Sequence, residues 1–208
     1  MALTNAYATL AQLKAENNIG GADTSYDTKL EIALNAASRQ IDGYCGGRFF
    51  YQDTALSVRT YYADDADTCF VDDISTTTGL IVKTDDDDDG TFENTLTLNT
   101  HFILLPTNAA AKHPVEPYTC IRLVDSGITA FPRSYSGRPG VQVTAKFGWP
   151  AIPDDVEKAC LIQATQLFKA SDAVFGGLSF EAGILRVRDT LNPMAAALVE
   201  RYCKPRVA

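Results

Sequence analysis

The clearest pattern in the chain is a change of period between residues 141 and 168. Val141, Val143, Ala145 and Phe147 are apolar and alternate with Gln142, Thr144 and Lys146. A period of two marks a strand with one buried face. Gly148, Trp149 and Pro150 follow. Proline lacks the N–H a ladder needs and glycine permits a sharp corner, so the strand stops there. Pro153 suits a first helical turn, and Asp154 and Asp155 suit the positive end of a helix dipole. Val156, Cys160, Leu161, Ala164, Leu167 and Phe168 then recur at helical spacing and give a wide apolar stripe. Trp149, the single tryptophan, reads as a plug at this corner, with an interface anchor as its functional alternative.

Upstream, Thr9 with Gln12 three positions later forms a capping-box signature for a short helix ending near Asn17 and Asn18. Leu30, Leu34, Ala37, Ile41 and Tyr44 repeat at spacings of four and three, which predicts a longer helix over 26–44. Ala33, Ala36 and Ala37 leave room for a neighbouring helix. From residue 53 the texture becomes short β-rich runs: 56–62, 68–71, 80–83, 92–98, 102–105, 118–124 and the strand at 141–147. Three loops interrupt them. Residues 85–90 hold an aspartate run, 106–117 read as a surface excursion, and 134–140 (SYSGRPG) read as a hairpin tip. After the long helix, Phe175 precedes a Gly-Gly pair and has the same two readings as Trp149. Asn192 then reads as an N-cap with Pro193 in the first turn of a last helix. The expected fold is α+β: a helical core of about four helices, residues 1–52 plus 148–208, with an inserted antiparallel β region at 53–147.

The 208 residues suffice for one sizeable core or two small ones. A net charge of -8, from 18 basic and 26 acidic residues, argues against wrapping DNA, which needs a dense basic face. No apolar run approaches the roughly 20 residues that cross a bilayer, so no membrane partner is expected. The first residues, MALTNAYATLAQ, lack the basic and apolar regions of a secretion signal. Five cysteines, an odd number with no Cys-x-x-Cys pair, read as buried, reduced thiols of a cytosolic protein.

Candidate chemistry is sparse. Asp85, Asp87, Asp89 and Gly90 match the first half of an EF-hand loop, but the twelfth position is Leu96, where a bidentate Glu is needed, and Glu93 stands at the ninth. The flanks read as strands. The run therefore reads as a solvated hairpin tip, with a calcium-dependent binding module as the alternative. His101 and His113, the only histidines, lie in no metal-ligand spacing. There is no Gly-x-Ser-x-Gly elbow, no Walker loop and no Gly-x-Gly-x-x-Gly. The expectation is a protein that is not an enzyme, with no catalytic residues, no metal and no cofactor.

Four stretches together resemble the head-to-tail connector (adaptor) proteins of long-tailed bacteriophages: YATLAQLKAENNI, LEIALNAASRQIDGYCGGRFF, VTAKFGWPAIPDDVEKACLIQATQLFK, and DAVFGG with the closing MAAALVERY. The β region is little constrained by the likeness beyond VDDISTTTGLIV. The resemblance implies a structural subunit that assembles with itself as a closed ring of about twelve copies below the portal protein. It implies a virion location at the head–tail interface after assembly in the host cytoplasm. The ring would extend the DNA channel, and the genome would pass without sequence-specific binding. It would also offer a platform for the stopper or tail-completion protein. By the same analogy, the closing helix and its locally basic tail would meet the portal through Arg201, Tyr202, Lys204 and Arg206. An acidic ring fits this role, because it lets phosphates slide rather than holding them. The rival within the same class is another stopper or tail-completion subunit.

Overall fold

The computed structural model describes residues 5–124, 130–175 and 191–203, with residues 171–175 described by their backbone alone. The fold is α+β, with four α-helices and two antiparallel sheets of seven strands among the described residues. It divides into two compact units: Met1–Phe50 with Ile152–Ala208, and Tyr51–Ala151.

The first unit is helical. Helix α1 (Leu10–Glu16) starts at the expected capping box, in which Thr9 Oγ1 accepts the Gln12 amide at 3.2 Å and Gln12 Oε1 accepts the Thr9 amide at 2.8 Å. Helix α2 (Asp27–Tyr44) buries Leu30, Ala33, Leu34, Ala37 and Ile41 along one stripe. Helix α3 (Asp154–Phe175) buries Val156, Ala159, Cys160, Ala164 and Phe168, and carries Asp154, Asp155 and Glu157 in its first turn. Helix α4 (Pro193–Val199) is capped by the Asn192 side chain, which accepts the Met194 amide at 2.9 Å. Gln163, 1% exposed, ties three elements together. Its Nε2 donates to Gln40 Oε1 at 2.7 Å, and its Oε1 accepts the Asn192 amide at 2.8 Å. A buried amide so bonded fixes the helices in one arrangement, because leaving either end unpaired costs about 1–3 kcal/mol.

The second unit is a pair of packed sheets. One has the order β1 (Ser57–Tyr61), β7 (Val141–Ala145), β3 (Ile81–Thr84) and β4 (Asn94–Leu96). The other runs β2 (Thr68–Ile74), β6 (Tyr118–Leu123) and β5 (Phe102–Leu105). Val82, Leu96, Val141, Val143 and Ala145 from the first sheet share one core with Cys69, Phe102, Leu104, Ile121 and Leu123 from the second. The period of two seen in β7 thus marks its buried side.

The expected strand over 92–98 is reduced to Asn94–Leu96, because a turn through Asn99, at φ 63°, takes over beyond it. Strand β2 extends past 71 to Ile74, across an irregularity in its pairing with β6. Asp72 and Asp73 have turn-like composition, but Asp72 is held in the strand by Arg59 Nη1 at 2.8 Å and by the Tyr61 hydroxyl at 3.1 Å. The 106–117 segment is not wholly a surface excursion: it contains a 3-10 turn at Ala109–Ala111 whose Ala109 is fully buried.

The corner after β7 is made by backbone. Gly148 has φ 100°, its amide donates to Asp73 O at 2.7 Å, and the Trp149 amide donates to Tyr51 O at 3.2 Å.

Candidate functional site

Arg201 and Tyr202 form a 3-10 turn at the end of α4, Glu200–Tyr202. Tyr202 is 4% exposed. Its ring stands edge-on to Phe50 at 5.9 Å, and Phe50 stands edge-on to Tyr7 at 5.7 Å. Its hydroxyl donates to Asp155 Oδ2 at 2.9 Å, and its carbonyl accepts Arg48 Nη1 at 2.8 Å. Burial, and then the bond to Asp155, push the phenol up to about 12. The ring of Tyr202, expected as a partner contact, and its single polar tip already have partners within the chain. Arg201 is different. Its side chain is 58% exposed, lies over the Tyr202 ring at 4.7 Å and reaches Asp155 at 3.6 Å. It leaves most of a guanidinium at the surface, placed by an aromatic face.

Trp149, expected as a plug or an interface anchor, is 1% exposed in the single chain. Phe175 ends α3, and its side chain lies outside the described residues, as do Lys204 and Arg206. Of the six residues picked from the sequence, Arg201 is the one whose described side chain is open to a partner.

The aspartate run is not a plain solvated tip. Asp85 is 1% exposed and accepts the Asp89 amide at 3.2 Å and the Gly90 amide at 2.8 Å. Asp88, at φ 60°, turns away from its neighbours. It accepts the Tyr135 amide at 2.7 Å, the Ser136 amide at 2.6 Å and the Ser136 hydroxyl at 2.7 Å. Arg138 Nη1 adds a bond to Asp89 O at 2.6 Å. The run and the SYSGRPG segment are thus one structure, joined by an alternation of acceptor and donor that the separate readings missed. On the other side, Asp85, Asp87, Asp89 and Glu93 bring carboxylate oxygens within 4.8 Å of one another. These residues offer one oxygen each to a cation. Asp85 and Asp89 already accept backbone amides, and Glu93 accepts the Asp86 amide at 3.2 Å. Like-charge repulsion, from Asp89 first, raises the Asp87 carboxyl above its usual range, whereas bonds from Ser136 hold Asp88 below it.

The outer face of the four-stranded sheet is the surface that sequence reading did not find. Val58 on β1 and Ile81 on β3 both pair with Thr144 on β7, so the three form one row on one face. Val58 is 58% and Ile81 43% exposed. Leu56, 48% exposed, extends the row by folding over Gly79. The next row is Thr60, Gln142, Lys83 and Thr95. Neither row contains a carboxylate. Among the residues of these two rows Lys83 is the one charge, in a chain whose net charge is -8.

His101 Nδ1 accepts the Thr97 amide at 2.9 Å. It borders an open cleft of about 530 Å³ lined also by Thr84, Asp86 and Asn94. Among the described residues, no helix is long and apolar enough to cross a membrane.

No protein-family model matches the chain, and no curated protein matches it in sequence. Solved structures do match in shape. One is a chain from the neck of an empty gene transfer agent (GTA) particle, computed with C6 symmetry; it has a TM-score of 0.55 at 18% identity, covering 100% of this chain and 95% of that one. Another comes from the virion of a native GTA particle, with a TM-score of 0.56 at 19% identity and the same coverage. The likeness is one of fold, and it runs from end to end.

Proposed function

We propose that this chain is a non-enzymatic structural subunit of a phage-type virion neck, acting as a head-to-tail connector. It assembles as a ring below the portal, extends the DNA channel and gives the stopper or tail a docking platform. The observation that carries the reading is the end-to-end fold likeness to chains of a GTA particle's neck and virion. The four sequence stretches that resemble phage adaptor proteins point the same way. So does the net charge of -8, since an acidic channel wall repels the phosphate backbone and lets it slide.

A ring of identical subunits is a heterologous assembly, in which one surface of each copy meets a different surface of the next. The acid-free row of Val58, Thr144 and Ile81 suits one side of that contact. Copies that are acidic overall repel one another least where a face lacks carboxylates. Arg201 is the candidate contact to the portal. The neighbour's C6 symmetry accommodates six copies or a multiple of six, and about twelve is the expected count.

Native mass spectrometry of the purified chain, with negative-stain imaging, tests the reading. A closed ring with a central hole, formed alone or on addition of portal protein, is the expected result. A chain that stays monomeric with the portal present would overturn it. Binding to a stopper but not to a portal would move the assignment to a tail-completion subunit.

A further inference from the structure

We propose that Cys45 and Cys203 form a dithiol site that closes to an intramolecular disulfide when the protein meets a small-molecule disulfide oxidant. The two Sγ atoms lie 2.8 Å apart, although 158 residues separate them in sequence. A disulfide bond is about 2.05 Å long, so closure requires a movement of under an ångström. Both thiols converge on one acceptor: Cys45 Sγ lies 3.7 Å and Cys203 Sγ 3.4 Å from Val199 O. Cys45 caps the end of α2, and Cys203 follows the turn Glu200–Tyr202. Contacts that do not involve sulfur already hold these two ends together. Arg48 Nη1 donates to Tyr202 O, and Tyr202 stands against Phe50. The site is therefore assembled before any bond forms.

The other cysteines have no such partner. Cys69 pairs with Ile121 and faces the core, whereas Cys120 pairs with Phe70, so the two belong to opposite faces of their sheet. Cys160 Sγ is buried 3.4 Å from Ser38 Oγ.

The roles of the two sulfurs follow from their exposure. Cys45 is fully buried, and burial raises its thiol pKa, whereas Cys203 is partly exposed. Cys203 loses a proton, and its thiolate attacks one sulfur of the oxidant RSSR, forming a Cys203–S–S–R mixed disulfide and expelling RS⁻. Cys45 then loses its proton and attacks the Cys203 sulfur, forming the Cys45–Cys203 bond and expelling the second RS⁻. The two thiols lose two protons and two electrons, and RSSR is reduced to two RSH. Closure pins the end of α4 to the end of α2. The chemistry does not depend on the neck reading. If that reading is taken, the site stays reduced during assembly in the cytoplasm and closes once the particle leaves it.

The test uses the full chain and oxidised glutathione. After incubation the free thiols are alkylated, the protein is digested and the peptides are mapped by mass spectrometry. The expected result is a linked peptide joining Cys45 to Cys203, with Cys69, Cys120 and Cys160 alkylated. The melting temperature should rise by on the order of 10 °C and fall again with dithiothreitol, because the bond closes a very long loop. Cys203→Ser should abolish both the link and the shift. Cys45→Ser should trap glutathione on Cys203. Alkylation of all five cysteines after oxidation, or glutathione retained on Cys203 of the unmutated chain with no link to Cys45, would overturn the proposal. Neither outcome bears on ring formation.

Discussion

Asp88 holds Ser136 with both carboxylate oxygens: Oδ1 accepts the Ser136 hydroxyl at 2.7 Å and Oδ2 the Ser136 amide at 2.6 Å. These bonds favour the ionised form and lower the Asp88 carboxyl from its usual value of 3.8. A depressed carboxyl contributes stability above its unfolded value and loses it as pH falls through the folded one. Asp88→Asn keeps a residue that tolerates the positive φ but removes the charge. We expect several-fold faster hydrogen exchange at the Tyr135 and Ser136 amides, and the same loosening in the unmutated protein at strongly acid pH. Unchanged exchange in the variant would mean that the 134–138 segment is held by something else.

Asp87 behaves in the opposite sense. Repulsion from Asp89, then Glu93 and Asp85, raises its carboxyl. A raised carboxyl favours folding below its unfolded value, and that contribution is lost as pH rises through the folded one. NMR titration should find Asp87 above and Asp88 below 3.8, and Asp89→Asn should bring Asp87 down. Two adjacent aspartates titrating together would refute the described loop geometry.

What the sequence made legible was local. The Thr9–Gln12 box and the Asn192–Pro193 start are signals within four residues, and both helices begin where those signals stand. The Asp88 bond to Ser136 spans 48 residues, and that of Tyr202 to Asp155 spans 47, so neither partner is visible in the local pattern. Strand parity is a subtler loss. Alternation in β1 shows two faces but not which is inside. Arg59 takes the same side as Val143, stacking its guanidinium 4.0 Å from the Phe147 ring, while apolar Val58 faces out. Only the register with β7 decides this, and with it the candidate contact surface.

At the end of α4 the buried Tyr202 and the exposed Arg201 predict different outcomes. Tyr202→Phe removes one hydrogen bond to a carboxylate and should cost about 1 kcal/mol, roughly 3 °C in Tm. Tyr202→Ala empties a buried aromatic site and should cost about 3–5 kcal/mol. Arg201→Glu, at an exposed position, should move stability by under about 1 kcal/mol. Under the proposed function the same change should weaken co-assembly with the portal. A variant that melts normally and binds the portal as the parent does would remove Arg201 from that interface.

Gly148 makes a sharper stability prediction. A Cβ there would stand 1.8 Å from Tyr51 O, on a backbone at φ 100°. The obstacle is backbone, held by the Trp149 amide and the Gln52–Gly148 bridge, so it has no rotamer through which to yield. Gly148→Ala should cost about 3 kcal/mol or more. Gly47, at φ 77° with open space around it, is the control, and Gly47→Ala should cost about 1 kcal/mol. Equal melting shifts for the two variants would show that the corner relaxes.

Under the proposed function, the outer sheet face is the candidate surface for subunit contact. Val58→Asp and Ile81→Asp each place a carboxylate in two rows that have none, near Lys83. Both positions are exposed in the single chain, so melting of the isolated subunit should move by under about 0.5 kcal/mol. Against a neighbour that is itself acidic, the added charge must be desolvated without a partner and repels the facing surface, costing several kcal/mol per contact. Under the proposed function the cost repeats at every interface of a closed ring, and native mass spectrometry should find monomer under conditions in which the unmutated chain assembles. Val58→Lys should be milder than Val58→Asp, because an added cation complements the acidic neighbour. If aspartate and lysine disrupt the ring equally, the face acts through shape alone. If neither does, the subunits meet through another surface, and the ring reading survives without this one.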